Sequence, residues 1–325
     1  MKRTLFLHLG PAKTGTSALQ HVLRHHDGSA VLYPRVGLWA DGSHHNLVLN
    51  FFADYTRPEM VREDAGILLD RIAEEARASD RNIVISSEIL AGRRNLADFV
   101  QALQSRMGGE PLRVELLVFV REHYERAASL YNQRVKDAIF AEQRDPDVFL
   151  AEHAERLCYV NLLRRLRRSE FRLKVLSYHP AETTVARGLA HLGFAPHQIP
   201  VAPARNVSLS KIMLVATLMA NRLASAPAQR ERLIDALRGM PGVFAPPLFI
   251  FGAAAIAQAE PRFAADRVFL RRRFGVELPV PDLAGLEATL VIDEREFAGI
   301  AAAVQGLGDE GAALLDAVRP YVRAT

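Results

Sequence analysis

The chain has 325 residues, 49% of them hydrophobic and 24% charged, enough to bury a sizeable core in one large domain or a domain with an appended lobe. A formal charge of +4 gives no case for nucleic-acid binding, while a pI near 9.4 permits anionic ligands. The single cysteine, Cys158, excludes an internal disulfide, and a reducing cytoplasm is the simpler location.

Lys2 and Arg3 precede an apolar run from Leu5 to Leu9 that Gly10 and Pro11 stop, too short for the core of a secretory signal. The longest later apolar run, 246–259, falls short of the roughly 20 residues of a spanning helix. The chain therefore reads as soluble, with no stable membrane insertion.

Four short segments rich in Val, Ile, Leu and Phe read as buried parallel strands: Thr4 to Leu9, Asn82 to Ser86, Arg113 to Val120 and Leu173 to Ser177. Val31 to Tyr33 adds an edge strand. Helical patterns lie at Ser17 to His25, Pro58 to Ala78, Asn95 to Arg106, Tyr124 to Lys136 and Pro146 to Arg168. In the second, Ile67, Leu68, Arg71 and Ile72, with Glu74 and Glu75 beyond, give an amphipathic face. Pro34 to His45 reads as an irregular loop over the sheet.

Strands alternating with helices predict an α/β fold, a three-layer sandwich around a mostly parallel sheet. From about Val207 alanine and leucine dominate and prolines punctuate the helices, so a single domain is expected, with an α/β core over 1–210 and a helical lobe over 211–325.

The first strand runs into LGPAKTGTSALQ, a turn followed by a helix start. Such a turn aims unpaired backbone N–H groups, and the positive end of the helix dipole, at one point. Gly10 and Gly15 let the main chain approach an anion, Thr14, Thr16 and Ser17 offer hydroxyls, and Lys13 supplies a full charge. Gly10, Gly15 and Ser17 keep the frame of a Walker A loop, but Thr16 occupies its lysine position. The second long strand ends in Ser86, Ser87 and Glu88 and the third in Arg121, so no Walker B aspartate follows and a metal-dependent nucleotide triphosphate site is disfavoured.

The segment from Pro11 to Gln20, PAKTGTSALQ, resembles the phosphosulfate-binding loop of the sulfotransferase family, with one extra residue between the proline and the lysine. The family's second hallmark, a strand-terminal arginine and a serine eight residues later, matches Arg121 and Ser129 in VFVREHYERAASLYNQ. Both side chains are suited to a phosphate on chemical grounds alone. FLRRRFGVEL, Phe269 to Leu278, also looks like the ending of bacterial members.

The resemblance implies 3′-phosphoadenosine 5′-phosphosulfate (PAPS) as sulfuryl donor and adenosine 3′,5′-bisphosphate (PAP) as product, with no metal. It implies Pro11, Ala12, Lys13, Thr14, Gly15, Thr16 and Ser17 on the 5′ phosphosulfate and Arg121 and Ser129 on the 3′ phosphate. Arg205 and Ser208, in RNVSLSK, resemble a segment that closes over the nucleotide; the same stretch also reads as an N-cap at Ser208.

Transfer to a hydroxyl needs a base within reach of the attacking oxygen. Glu88, at the end of its strand, is one candidate, and it can equally orient Lys13 or cap the next helix. His44 and His45, on the loop over the site, are the others. Ser86, Ser87, Tyr33, Arg35 and Lys136 are expected acceptor contacts. A carbohydrate or other hydroxylated acceptor is implied. Seven basic residues between Arg156 and Lys174 against one acid, Glu170, suggest an anionic one or a solvated helix face. The competing readings are a small-molecule or nucleotide kinase with a degenerate loop, and a nucleotide-binding protein without turnover. Cys158, among Leu157, Tyr159 and Leu162, reads as a buried structural thiol.

Overall fold

The structure, a computed structural model, describes residues 2–25, 31–55, 57, 59–109, 111–178, 181–195, 208–240, 242–245, 249–279 and 290–323. The chain divides into two compact units: one of 1–121, 159–205 and 266–278, the other of 122–158, 206–265 and 279–325.

The first unit is built on a five-stranded parallel sheet in the order β2-β3-β1-β4-β5: β1 (Thr4–His8), β2 (Val31–Leu32), β3 (Asn82–Ser86), β4 (Arg113–Val120) and β5 (Arg172–Ser177). The central strands are mostly apolar because both faces are covered. Alternate residues go to opposite sides. Leu5, Leu7, Ile83, Ile85, Leu116 and Val118 join one buried cluster, and Phe6, Val84, Leu117 and Phe119 the other.

Helices α1 (Thr16–His25) and α8 (Ala181–His191) supply Leu19, Val22, Leu23, Val185 and Leu189 to the second cluster. The first is closed by α2 (His45–Phe51), α3 (Ala65–Arg77), α4 (Leu96–Arg106) and α7 (Val160–Arg167), together with Leu270, Val276 and Leu278.

Two expected helices change. The pattern from Pro58 becomes helical only at Ala65, where the Asp64 carboxylate accepts the Ile67 N–H at 3.0 Å and caps α3. Pro58 itself lies outside the described residues. Ile67, read as part of the amphipathic face, is 59% exposed, and the buried stripe is Leu68, Leu69, Ile72, Ala73 and Ala76.

The long helix expected over 146–168 is two, α6 (Pro146–Leu157) and α7, separated by an extended Cys158. The break has a built partner: Asp266 accepts the N–H groups of Tyr159 and Val160, each at 2.8 Å, and caps α7. Cys158 is half-buried rather than buried, its thiol 3.4 Å from the Ala154 carbonyl. Two helices, α2 and α8, were not expected. α2 begins at His45, inside the stretch read as a loop, and its Asn46 and Asn50 are buried.

The second unit is mainly helical: α5 (His123–Lys136), α6, α9 (Lys211–Leu223), α10 (Pro227–Arg238), α12 (Glu294–Val304), α13 (Gly308–Val318) and the first part of α11 (Ala253–Phe274), whose residues from Asp266 belong with the first unit. The helix α9 is its axis, with Met213 to Asn221 all buried. The Asn221 amide donates to the carbonyls of Val135 and Glu142, each at 2.9 Å. Pro227 starts α10 as expected of a helix punctuator, whereas Pro261 lies inside α11. A small antiparallel pair, β6 (Ser208–Leu209) with β7 (Phe244–Ala245), completes it. No helix among the described residues is long and apolar enough to cross a membrane.

Candidate functional site

In the sheet order, the chain leaves β1 toward β2 and leaves β4 toward β5, so the two neighbouring strands diverge at their C-terminal ends. That divergence opens a crevice where open α/β sheets bind ligands. The loop 9–15 rises from one side of it and Arg121 from the other.

The loop is tightly specified. Gly15 has φ 86°, and a Cβ there would come within 2.9 Å of the Tyr178 ring. A Cβ on Gly10 would meet Thr16 Cγ2 at 2.0 Å. Between them Lys13, which has a side chain, also takes the left-handed conformation at φ 71°. Backbone held this way costs free energy and persists where the surroundings impose it. Part of that imposition is visible: Arg121 Nη1 donates to the Lys13 carbonyl at 3.3 Å.

Arg121 is 9% exposed and held at both ends. Its backbone N–H donates to the Tyr159 hydroxyl at 2.9 Å, and that hydroxyl donates back to its carbonyl at 2.8 Å. Its guanidinium lies 4.6 Å from the centre of the Tyr178 ring. The residues that orient it, Tyr159 and Tyr178, carried no signal in the sequence reading.

The hydroxyls divide differently from expectation. Thr14 is fully buried and donates to the Pro11 carbonyl at 2.8 Å, stapling the loop. Thr16 is also buried, and its hydroxyl donates to the Glu88 carboxylate. Ser17, half-buried at the first turn of α1, keeps its hydroxyl uncommitted among the described residues. Lys13, Ala12 and Gly15 are half-buried and Pro11 is buried.

Of the three proposed bases, Glu88 opens a short 3-10 turn after β3 and receives Thr16. His44 is completely buried, with its Nε2–H on the Pro34 carbonyl at 3.0 Å and its Nδ1 accepting the Ser86 N–H at 3.2 Å. Burial pushes its imidazole down to about 3. With both nitrogens committed, it braces the loop against β3. His45 differs: Nδ1 lies 2.8 Å from the Ser87 hydroxyl, the ring packs edge-on to Trp39 at 4.9 Å, and Nε2 has no partner among the described residues. Burial lowers it to about 4, so it is neutral at pH 7, with a lone pair for a hydrogen bond but a weaker base than a free imidazole.

Another buried histidine ends β1. His8 Nδ1 is 2.7 Å from the Ser86 hydroxyl, which also accepts from Gln20 Nε2 at 3.0 Å. Its Nε2 has no partner among the described residues, lies 3.2 Å from where a Gly10 Cβ would stand, and burial drives the ring to about 3. This cluster underlies the loop; Ser86, expected to contact the acceptor, is instead buried with its hydroxyl on His8 and Gln20.

Ser129 lies half-buried on α5 in the second unit. Arg205 falls outside the described residues. Ser208 is in β6 rather than capping a helix; the cap is Ser210, whose hydroxyl accepts the Met213 N–H at 3.4 Å. Tyr33 is buried, with its hydroxyl on the Gly42 carbonyl at 2.6 Å, and burial raises its pKa. Arg164, Arg167 and Arg168 of the arginine run are exposed.

A cleft of about 630 Å³ adjoins this region in the first unit, between 35–41 on one side and 59–63 with Arg71 on the other. The second wall is the extended stretch the sequence reading made helical. Asn46 Oδ1 accepts the Val61 N–H at 2.9 Å, Asn50 Nδ2 donates to the Val61 carbonyl at 2.9 Å, and Asn50 Oδ1 accepts the Glu63 N–H at 3.0 Å. Two asparagines one turn apart on α2 thus pair this wall as a neighbouring strand would.

No family model, curated protein or solved structure matches this chain.

Proposed function

We propose that the chain is a sulfotransferase that moves the sulfuryl group of PAPS to a hydroxyl acceptor, a carbohydrate or glycolipid, without a metal ion. The observation that carries this reading is Lys13, held left-handed in the β1–α1 loop with its carbonyl tied to Arg121 across the crevice. A cation set inside the turn, instead of after its second glycine, suits a sulfuryl donor better than a magnesium-bound triphosphate. On this reading the first unit is a three-layer α/β sandwich with a P-loop-like anion site.

The acceptor oxygen attacks sulfur in line, the bond between sulfur and the 5′-phosphate oxygen breaks, and its electron pair stays on that oxygen. Lys13 and the N-terminus of α1 stabilise the charge appearing there. The acceptor's proton passes to His45 Nε2, the uncommitted nitrogen of the two adjacent histidines. Glu88 holds Thr16 and thereby the first turn of α1. Arg121 takes the 3′ phosphate.

The test is calorimetry with PAP and with adenosine 5′-phosphate in chelator. PAP is expected to bind about 100-fold tighter, close to 3 kcal/mol. Indifference to the 3′ phosphate removes the donor assignment, and a requirement for ATP and magnesium selects the kinase. Lys13→Ala is expected to lower transfer by about 10²- to 10³-fold with the circular dichroism spectrum unchanged.

A further inference from the structure

The cleft beside His45 has a composition that restricts what it can hold. Its polar lining presents three carboxylates, Asp41, Glu59 and Glu63, against two guanidiniums, Arg35 and Arg71. An extended polyanion would meet an excess of negative charge, which costs binding and also selects against it. Paired acceptors and donors suit hydroxyl groups, each of which gives one hydrogen bond and accepts others. Trp39 adds a flat apolar surface to the same lining.

The walls are fixed before any ligand arrives. Asn46 and Asn50 are buried and spend their amides on 61–63, and Asn46 Nδ2 also donates to Glu63 at 2.8 Å. Asp41 is set by the N–H and hydroxyl of Ser43, at 2.9 and 2.7 Å. A volume of about 630 Å³ lies within the range of small-molecule pockets. Contacts lead from it toward the loop: Trp39 packs on His45, His45 meets Ser87, and the next residue, Glu88, receives Thr16. The exposed arginines of α7 contribute nothing to the lining.

We propose that this cleft is the acceptor subsite and that it takes a neutral, polyhydroxylated molecule of about disaccharide size, not a polyanion. The word acceptor rests on the sulfotransferase reading; the cleft and its selectivity do not. Glu59 and Arg71 act as specificity determinants at its rim.

Trp39 is the only tryptophan in the chain, so the emission of the whole protein reports on this cleft. The experiment titrates the PAP-loaded protein with cellobiose, with N,N′-diacetylchitobiose and with an anionic heparin disaccharide, while calorimetry follows PAP separately. A neutral disaccharide is expected to change the emission saturably at millimolar concentration. The anionic one is expected to bind about tenfold more weakly, Arg71→Ala to weaken the neutral sugar about fivefold, and Glu59→Gln to narrow the gap between the two. Flat emission with both neutral sugars while PAP binds, or tighter binding of the anionic one, overturns the proposal. Sugar binding with no PAP binding keeps the cleft and removes the sulfotransferase reading.

Discussion

Adjacent histidines in one sequence motif have been given opposite chemistry by their surroundings. His44 is locked between the Pro34 carbonyl and the Ser86 N–H and is kept neutral by burial, whereas His45 uses one nitrogen on Ser87 and leaves the other uncommitted. The locked ring has a measurable signature. Its pKa is about 3 in the fold against 6.5 for an exposed imidazole, so on acidification the unfolded chain takes up a proton that the folded chain refuses. Stability is therefore fully present above pH 6.5 and is lost progressively down to pH 3. Replacing His44 by Asn should reduce the slope of unfolding free energy against pH in that window by up to about 1.4 kcal/mol per pH unit. Urea titrations at several pH values measure it; parallel slopes for the two proteins would show that the ring titrates normally in the fold. The sequence marked both histidines, since they sit in a loop near the motif, but could not rank them. Their difference lies in a carbonyl and an amide contributed by distant positions.

At the scale of elements, the strands were legible because covered parallel strands read as short, mostly apolar runs, and Asn82–Ser86 and Arg113–Val120 begin and end where the pattern says. The glycine-containing turn over 9–15 was legible for the same local reason. Helix boundaries that depend on a remote partner were not: nothing near Cys158 announces a break, because the group that ends one helix and begins the next is Asp266, more than a hundred residues on. The wall 61–63 was hidden likewise, its partners being asparagines of an unexpected helix. The Asp266 cap supports Tyr159, whose hydroxyl brackets the Arg121 backbone. Asp266→Ala should cost about 2 to 3 kcal/mol, since two N–H groups lose a charged acceptor and one of them is buried. On the sulfotransferase reading, PAP affinity should fall with it through the displaced Arg121. Thermal unfolding and calorimetry on the variant read both effects, and wild-type stability would show that the break in the helix is intrinsic to the local sequence.

The chain as a whole is organised differently from the order in which its patterns appear along it. The expected division at residue 210 cuts through both compact units, because 122–158 cluster with the C-terminal half while 266–278 return to the sheet-containing unit. Leu270, Val276 and Leu278 lie buried in the same cluster as Leu5, Ile83 and Leu116. Burial of three such side chains contributes roughly 5 to 9 kcal/mol between them, comparable to the entire net stability of an ordinary domain. Removing 211–325 also deprives α5 and α6 of α9, whose residues from Met213 to Asn221 are buried in their shared core. A fragment of residues 1–210 should therefore keep helical far-ultraviolet signal while losing near-ultraviolet dichroism, bind a hydrophobic dye and fail to bind PAP. A soluble 1–210 fragment with cooperative unfolding and intact PAP affinity would show that the binding proposed for PAP needs none of the returning residues. Adding 266–278 to the fragment as a fused segment should then restore cooperativity to the sheet-containing part before any other piece of the C-terminal half does.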